Sequence, residues 1–215
     1  MAGGEPFYNK RKLFDLLDKL DRSIELKFIT NASFCDDEII DKLNEFETGR
    51  LNCSIDGVGR WIENQRIRSN WKQIEKNMFD FASRLHNNWT VNLVPTFTVI
   101  NTLGLPEYID WYFNKLFPLR NVKFSYTICK EPSHMTLYQI PIRTRKKIIE
   151  RIKMKKYNYT KLLNRGTLFK LYDNICKDII PNTNISDLIR HVKFIEHNVK
   201  SDFKEQLPEL GEIIG

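Results

Sequence analysis

The sequence predicts an α/β protein: an α/β core over residues 1–132, followed by a helical C-terminal part over 133–215. Three observations predict it. Apolar spacing in the core alternates between the period of a helix and that of a strand. Each strand-like run is separated from the next by a helix-like run, which calls for parallel strands joined by right-handed crossovers. Beyond about Pro132 the strand signal stops and only helical spacing continues.

The elements follow in order. Leu13, Phe14, Leu16, Leu17 and Leu20 share one helical face, and Ile24, Leu26 and Phe28 alternate as a strand over Ile24–Ile29. Asp36 or Asp37 caps a helix carrying Ile39, Ile40, Leu43 and Phe46. Leu51, Cys53 and Ile55 alternate again. Ser69 caps a helix with Trp71, Ile74, Met78, Phe81 and Leu85 on one stripe. Val91, Leu93, Phe97 and Val99 make a longer strand in which Pro95 removes one ladder donor. Pro106 suits the first turn of a helix holding Ile109, Phe113 and Leu116. Val122, Phe124, Tyr126 and Ile128 form the last strand. Helical patterns then run over Pro141–Lys156, Thr160–Ile179 and Ser186–Phe203, with Gly166 and Pro181 as punctuation.

Composition narrows the class. With 215 residues, 41% of them hydrophobic, and 14 Phe, 8 Tyr and 4 Trp to bury, the chain can build a core and does not read as disordered. No apolar run approaches the roughly 20 residues of a membrane helix. The opening Met-Ala-Gly-Gly-Glu-Pro lacks a hydrophobic targeting core, so a soluble cytoplasmic protein is expected. The four cysteines, Cys35, Cys53, Cys129 and Cys176, make no Cys-x-x-Cys pair and read as buried, reduced thiols, with no metal site. His86, His134, His191 and His197 show no metal-ligand spacing, and no Ser/His/Asp order or phosphate loop stands out.

In parallel α/β folds ligands bind at the carboxyl ends of strands. The unusual polar residues fall there. Gly3-Gly4-Glu5-Pro6 opens the first helix, and Thr30-Asn31 follows the first strand. Ser54, Asp56 and Gly57 close the second, and Thr96 and Asn101 lie on or just beyond the third. Each alone reads as ordinary turn chemistry. Together they suit a zwitterionic amino acid carrying a nucleoside. Glycines let the backbone approach a ligand. Glu5 can accept from an ammonium group, Ser54 or Asp56 can bond ribose hydroxyls, and an Arg can clamp a carboxylate.

Gly-Gly-Glu-Pro before a helix, then Thr-Asn after the next strand, resembles the radical S-adenosylmethionine superfamily. Ser54-Ile55-Asp56-Gly57-Val58-Gly59, Arg66-Ile67-Arg68-Ser69-Asn70-Trp71 and Ile74-Glu75-Lys76-Asn77 are similar, more narrowly, to its twitch-domain members. Val94-Pro95-Thr96, Ile100-Asn101, Leu105-Pro106-Glu107 and Pro208-Glu209-Leu210 continue the pattern. The resemblance implies an incomplete, partial (β/α) barrel of about four parallel strands with a twitch-like C-terminal region. It implies reductive cleavage of S-adenosylmethionine on a [4Fe–4S] cluster, giving a 5′-deoxyadenosyl radical that takes hydrogen from a peptide or small-molecule substrate. Gly3, Gly4 and Glu5 would then hold the amino group of S-adenosylmethionine. Asn31 would line the pocket, Ser54 and Asp56 would lie near the ribose, and Arg66, or Arg68 two residues on, would approach the carboxylate. The family's Cys-x-x-x-Cys-x-x-Cys motif does not occur in these 215 residues. A fragment inactive alone is therefore expected, with an N-terminal half supplied by another chain.

Charge offers the competing class. The net charge is +7, but Arg143–Lys161 holds nine Lys/Arg against Glu150 alone, a local +8 that leaves −1 for the remainder. Read functionally, this is a non-catalytic basic module for nucleic acid or a protein partner, with Tyr157 and Tyr159 able to stack on bases. Read structurally, it is a solvated helix face whose Ile148, Ile149 and Ile152 pack inward. The structural reading ranks first, and nucleic acid is not the expected partner.

Overall fold

A computed structural model describes residues 4–119, 121–153, 165–177, 179, 185–199, 205 and 207–214. The chain forms two compact units that interleave in sequence. The first comprises Met1–Ile55, Ser69–Pro95 and Trp111–Ser125, and the second Asp56–Arg68, Thr96–Asp110 and Tyr126–Gly215.

The first unit is built on a four-stranded, all-parallel sheet. Its strands are β1 (Glu25–Thr30), β2 (Thr48–Cys53), β3 (Trp89–Leu93) and β5 (Val122–Phe124), in the order β1-β2-β3-β5. Helices α1 (Lys10–Leu17), α2 (Asp37–Asn44) and α4 (Trp71–Arg84) belong to the same unit. Along β1, Leu26, Phe28 and Thr30 are buried while Glu25, Lys27 and Ile29 are exposed. In β2 and β3 the buried set is Gly49, Leu51 and Cys53 and then Trp89, Val91 and Leu93. These side chains form the helix-covered face. Phe7, from a 3-10 turn Pro6–Asn9, joins Phe28 of β1 and Phe81 of α4 at ring separations of 5.7 and 5.6 Å. The α2 N-cap is Asp36, whose carboxylate accepts from the Ile39 N–H at 3.0 Å, and the helix buries Ile39, Ile40 and Leu43. Tyr112 and Phe124 meet at 5.5 Å.

Several expectations shift. Ile24 lies outside β1 and is exposed rather than part of the core, and Ile29 is exposed with Glu25 and Lys27 on the outward face of the strand. Asn70, not Ser69, caps α4, since its side chain is the one that reaches the Gln73 N–H, at 3.1 Å. The long third strand divides at Val94-Pro95, where proline can donate nothing to the ladder. Its continuation, β4 (Thr96–Phe97), pairs in parallel with β6 (Thr127–Ile128), the continuation of the fourth strand, as the separate two-stranded sheet of the second unit.

The second unit adds α3 (Arg60–Gln65), which apolar spacing missed because six residues are too few to show a period. A 3-10 turn Asn101–Gly104 leads into α5 (Leu105–Trp111), with Pro106 in its first turn as expected. A Cβ on Gly104 would lie 2.4 Å from the Trp61 ring, so only glycine lets this turn meet α3. The helices α6 (Ile142–Lys153), α7 (Arg165–Cys176), α8 (Ile185–Val199) and α9 (Pro208–Ile214) complete the described elements. Ile148, Ile149, Ile152, Leu171, Ile175, Leu188, Val192 and Leu210 are buried. Gly166 lies inside the first turn of α7 rather than between helices. Pro181, residues 154–164 and 200–203 lie outside the described residues.

Candidate functional site

At the carboxyl end of β1 the chain gathers Gly4, Glu5, Thr30, Asn31 and Ser54, all singled out by sequence. Gly4 has φ +75°, a conformation that glycine adopts at no steric cost and that turns the chain into the Pro6–Asn9 segment. Glu5 caps that segment, accepting weakly from the Phe7 N–H at 3.3 Å. The same carboxylate accepts from the Thr30 hydroxyl and from the Asn31 N–H, both at 2.7 Å. Asn31 in turn accepts from the Ser33 N–H at 2.8 Å, closing an Asx turn through Ala32. The Ala32 carbonyl receives the buried Asn77 amide at 2.8 Å, so α4 fixes the turn from behind. Ser54 joins through its backbone, donating to the Thr30 carbonyl at 2.8 Å. Gly3 lies outside the described residues.

In the second unit Asp56 is 5% exposed and accepts three hydrogen bonds. Its Oδ2 takes Nε and Nη2 of Arg66, Nε at 2.9 Å, and its Oδ1 takes the Thr96 N–H at 2.8 Å. The structure thus pairs Asp56 and Arg66 with each other. Asn101, also buried, donates to the carbonyls of Asp56 at 2.6 Å and Thr96 at 2.8 Å, and accepts from the Thr98 N–H at 2.7 Å. Asn101 is therefore a fully used brace that ties the start of this segment to β4. Arg68 is exposed, with φ +70°.

Sequence reasoning missed a polar line on the open face of the first unit's sheet. Asn92 of β3 donates to Asn52 of β2 and to the Ser125 hydroxyl just past β5, both at 3.1 Å. The signal was present: asparagine is depleted in strand interiors, and both sit between apolar neighbours in central strands. It missed a second pair as well. His134 and His191 are 57 positions apart in sequence, yet their rings lie 5.3 Å apart.

The donor set does not suit an iron–sulfur cluster. Among the described residues no three His, Cys, Asp or Glu side chains come together to hold a metal ion. All four cysteines are free, but only Cys53 is fully buried; Cys35, Cys129 and Cys176 are half-buried, a correction to the expectation of four buried thiols. Burial, helped by Asp80, pushes the Cys35 thiol up to about 12, and burial also raises Cys53 and Cys129. A cluster needs thiolates. Burial disfavours the thiolate form at these three.

The basic segment divides on folding. Arg145 is 2% exposed, and its guanidinium donates to the carbonyls of Ile140, Ile175 and Lys177 at 2.9, 2.9 and 2.6 Å. Arg143, Lys146, Lys147, Arg151 and Lys153 remain exposed on α6, while Ile148, Ile149 and Ile152 face inward as the structural reading requires. Tyr157, Tyr159, Lys155, Lys156 and Lys161 lie outside the described residues.

Comparison of the chain with family models, curated proteins and solved structures gives no match.

Proposed function

We propose that this chain is the S-adenosylmethionine-facing portion of a radical S-adenosylmethionine enzyme of the twitch-domain type, folded as an incomplete (β/α) barrel and inactive by itself. The observation that supports this reading is the meeting of two motif pieces: the Glu5 carboxylate bonds both residues of Thr30-Asn31, 25 and 26 positions away, at the carboxyl end of a parallel strand. That is the end at which α/β folds bind ligands. Gly4 leaves the backbone bare there. Glu5 orders the strand end with three accepted bonds and keeps about one acceptor site for an ammonium group, since a carboxylate offers about four. Ser54 and Asp56 serve hydroxyls. Arg66 spends Nε and Nη2 on Asp56 and has further donors for a carboxylate.

Bound with its cluster, S-adenosylmethionine would supply the chemistry of hydrogen abstraction from a peptide or small-molecule substrate. The cluster thiolates would come from residues other than the four cysteines here, as from a partner chain. Four free thiols fit a cytoplasmic, reducing setting. Among the described residues, no helix is long and apolar enough to cross a membrane.

Calorimetry with S-adenosylmethionine tests the reading. Weak binding is expected, reduced roughly ten- to a hundredfold by Glu5→Gln and by Asp56→Asn, the range expected when a charge-assisted hydrogen bond is lost. A thermal melt of each variant separates lost contact from lost fold. Unchanged binding in both variants, or no binding by the parent, would remove these residues from the role.

A second reading is favoured by the five exposed cations of α6: a basic module for nucleic acid or a protein partner. Oligonucleotide binding with a steep salt dependence would support it.

A further inference from the structure

The second unit contains a cavity of about 710 Å³, within the roughly 300–1,000 Å³ typical of small-molecule sites. Three separate segments line it: β6 with the residues on either side of it, the stretch around Thr136 and Tyr138, and the end of α7 with the residues just beyond. Its described lining includes two lysines, Lys130 and Lys177, and no carboxylate. Lys130 makes no ion pair among the described residues. The Lys177 ammonium gives one donor to the Asn174 side-chain oxygen at 2.7 Å, and an ammonium has three donors.

That bond also orients the Asn174 amide. Its nitrogen donates to the Tyr126 hydroxyl at 3.0 Å, so Tyr126 accepts there and its own proton serves another acceptor. Burial raises the Tyr138 phenol, which therefore stays protonated and able to donate at neutral pH. A helix C-terminus ordinarily repels an anion. Here that repulsion is offset, because Arg145 covers the Ile175 and Lys177 carbonyls at the end of α7. The same guanidinium lies over the Tyr138 ring, 5.3 Å from its centroid, which puts a third positive charge behind the pocket wall. Ile128 and Ile179 add apolar surface, and the two tyrosines add flat faces.

We propose that this pocket binds a small organic anion with a phosphate or carboxylate head and a flat apolar body. The lysines and phenolic donors take the head, and the tyrosine and isoleucine surfaces take the body. The inference uses only residues of the second unit and does not rest on the S-adenosylmethionine reading.

Calorimetry on the full chain with phenyl phosphate, benzoate, inorganic phosphate and phenol tests it. Phenyl phosphate or benzoate is expected to bind, with phenol and inorganic phosphate each roughly tenfold weaker or more, because each lacks one half of the match. Binding of phenyl phosphate alone assigns a phosphate head, and of benzoate alone a carboxylate head. Lys130→Met and Lys177→Met should each weaken the bound anion roughly tenfold. Cys129, which lines the pocket, gives a second readout in the unmutated protein. The bound anion should slow its alkylation by iodoacetamide, followed by peptide mass, and leave Cys35 unaffected. Phenol binding as tightly as the anions, lysine variants that fold and bind unchanged, or Cys129 left unprotected at millimolar anion would overturn the proposal.

Discussion

His134 and His191 show what a single contact decides. Burial lowers the His191 pKa below the ordinary histidine value of about 6.5, and the neighbouring His134 lowers it further. The sign follows from linkage. Below about pH 6.5 the unfolded chain takes up a proton that the folded His191 resists, so acidification favours unfolding. Stability is expected to hold at neutral pH and to fall as pH drops through the unfolded histidine range. Thermal melts between pH 7.5 and 5.5 should show the decline, and His191→Gln should flatten it. An equal decline in the variant would assign the effect to other groups. Arg145 is the complementary case. Its charge counts toward the basic segment in sequence, but its three carbonyl partners make it a capping group of the interior. Glu5 and Asp56 were legible as candidates because acidic residues at strand ends stand out. Their pairings were not, because Arg66 is 10 positions from Asp56 and Thr30 is 25 from Glu5.

At the element scale the sheet depends on one glycine. Gly49 of β2 faces Trp89 of β3 in the parallel register, and a Cβ there would lie 2.4 Å from the indole ring. Trp89 is 1% exposed and has no room to yield. Gly49→Ala is therefore expected to destabilise the first unit by about 1–3 kcal/mol, the usual cost of overpacking. Denaturant unfolding measures this, and adding Trp89→Leu should recover part of the loss. A neutral Gly49→Ala would show that the indole can move aside. The same scale explains which elements were readable. The helices α2 and α4 announced themselves through caps and a full apolar stripe. The short α3 and the split at Pro95 carried too few residues for a period to register.

For the molecule as a whole, the consequential feature is the order of the four-stranded sheet, which leaves β1 at one edge. Ile29 is 56% exposed on that strand and Ile24, just before it, 39%. An edge strand with apolar side chains invites pairing with another chain. Light scattering at micromolar concentration is expected to show oligomers or aggregates, and Ile29→Lys to shift the protein toward monomer. A cooperatively melting monomer without the substitution would mean that the edge is protected. The sequence by itself determined the succession of helices and strands, the parallel sense of the sheet and the location of unusual polar residues at strand ends. These are local properties: periodicity, caps and crossover length are written in contiguous residues. Only the tertiary structure decided which polar groups meet. The bonds of Glu5 to Thr30 and Asn31, the Asp56–Arg66 pair, the Asn52–Asn92–Ser125 line and the withdrawal of Arg145 all join residues distant along the chain. Apolar spacing tells each element which face to bury, but it carries no information about which polar side chain will stand opposite once the faces have closed.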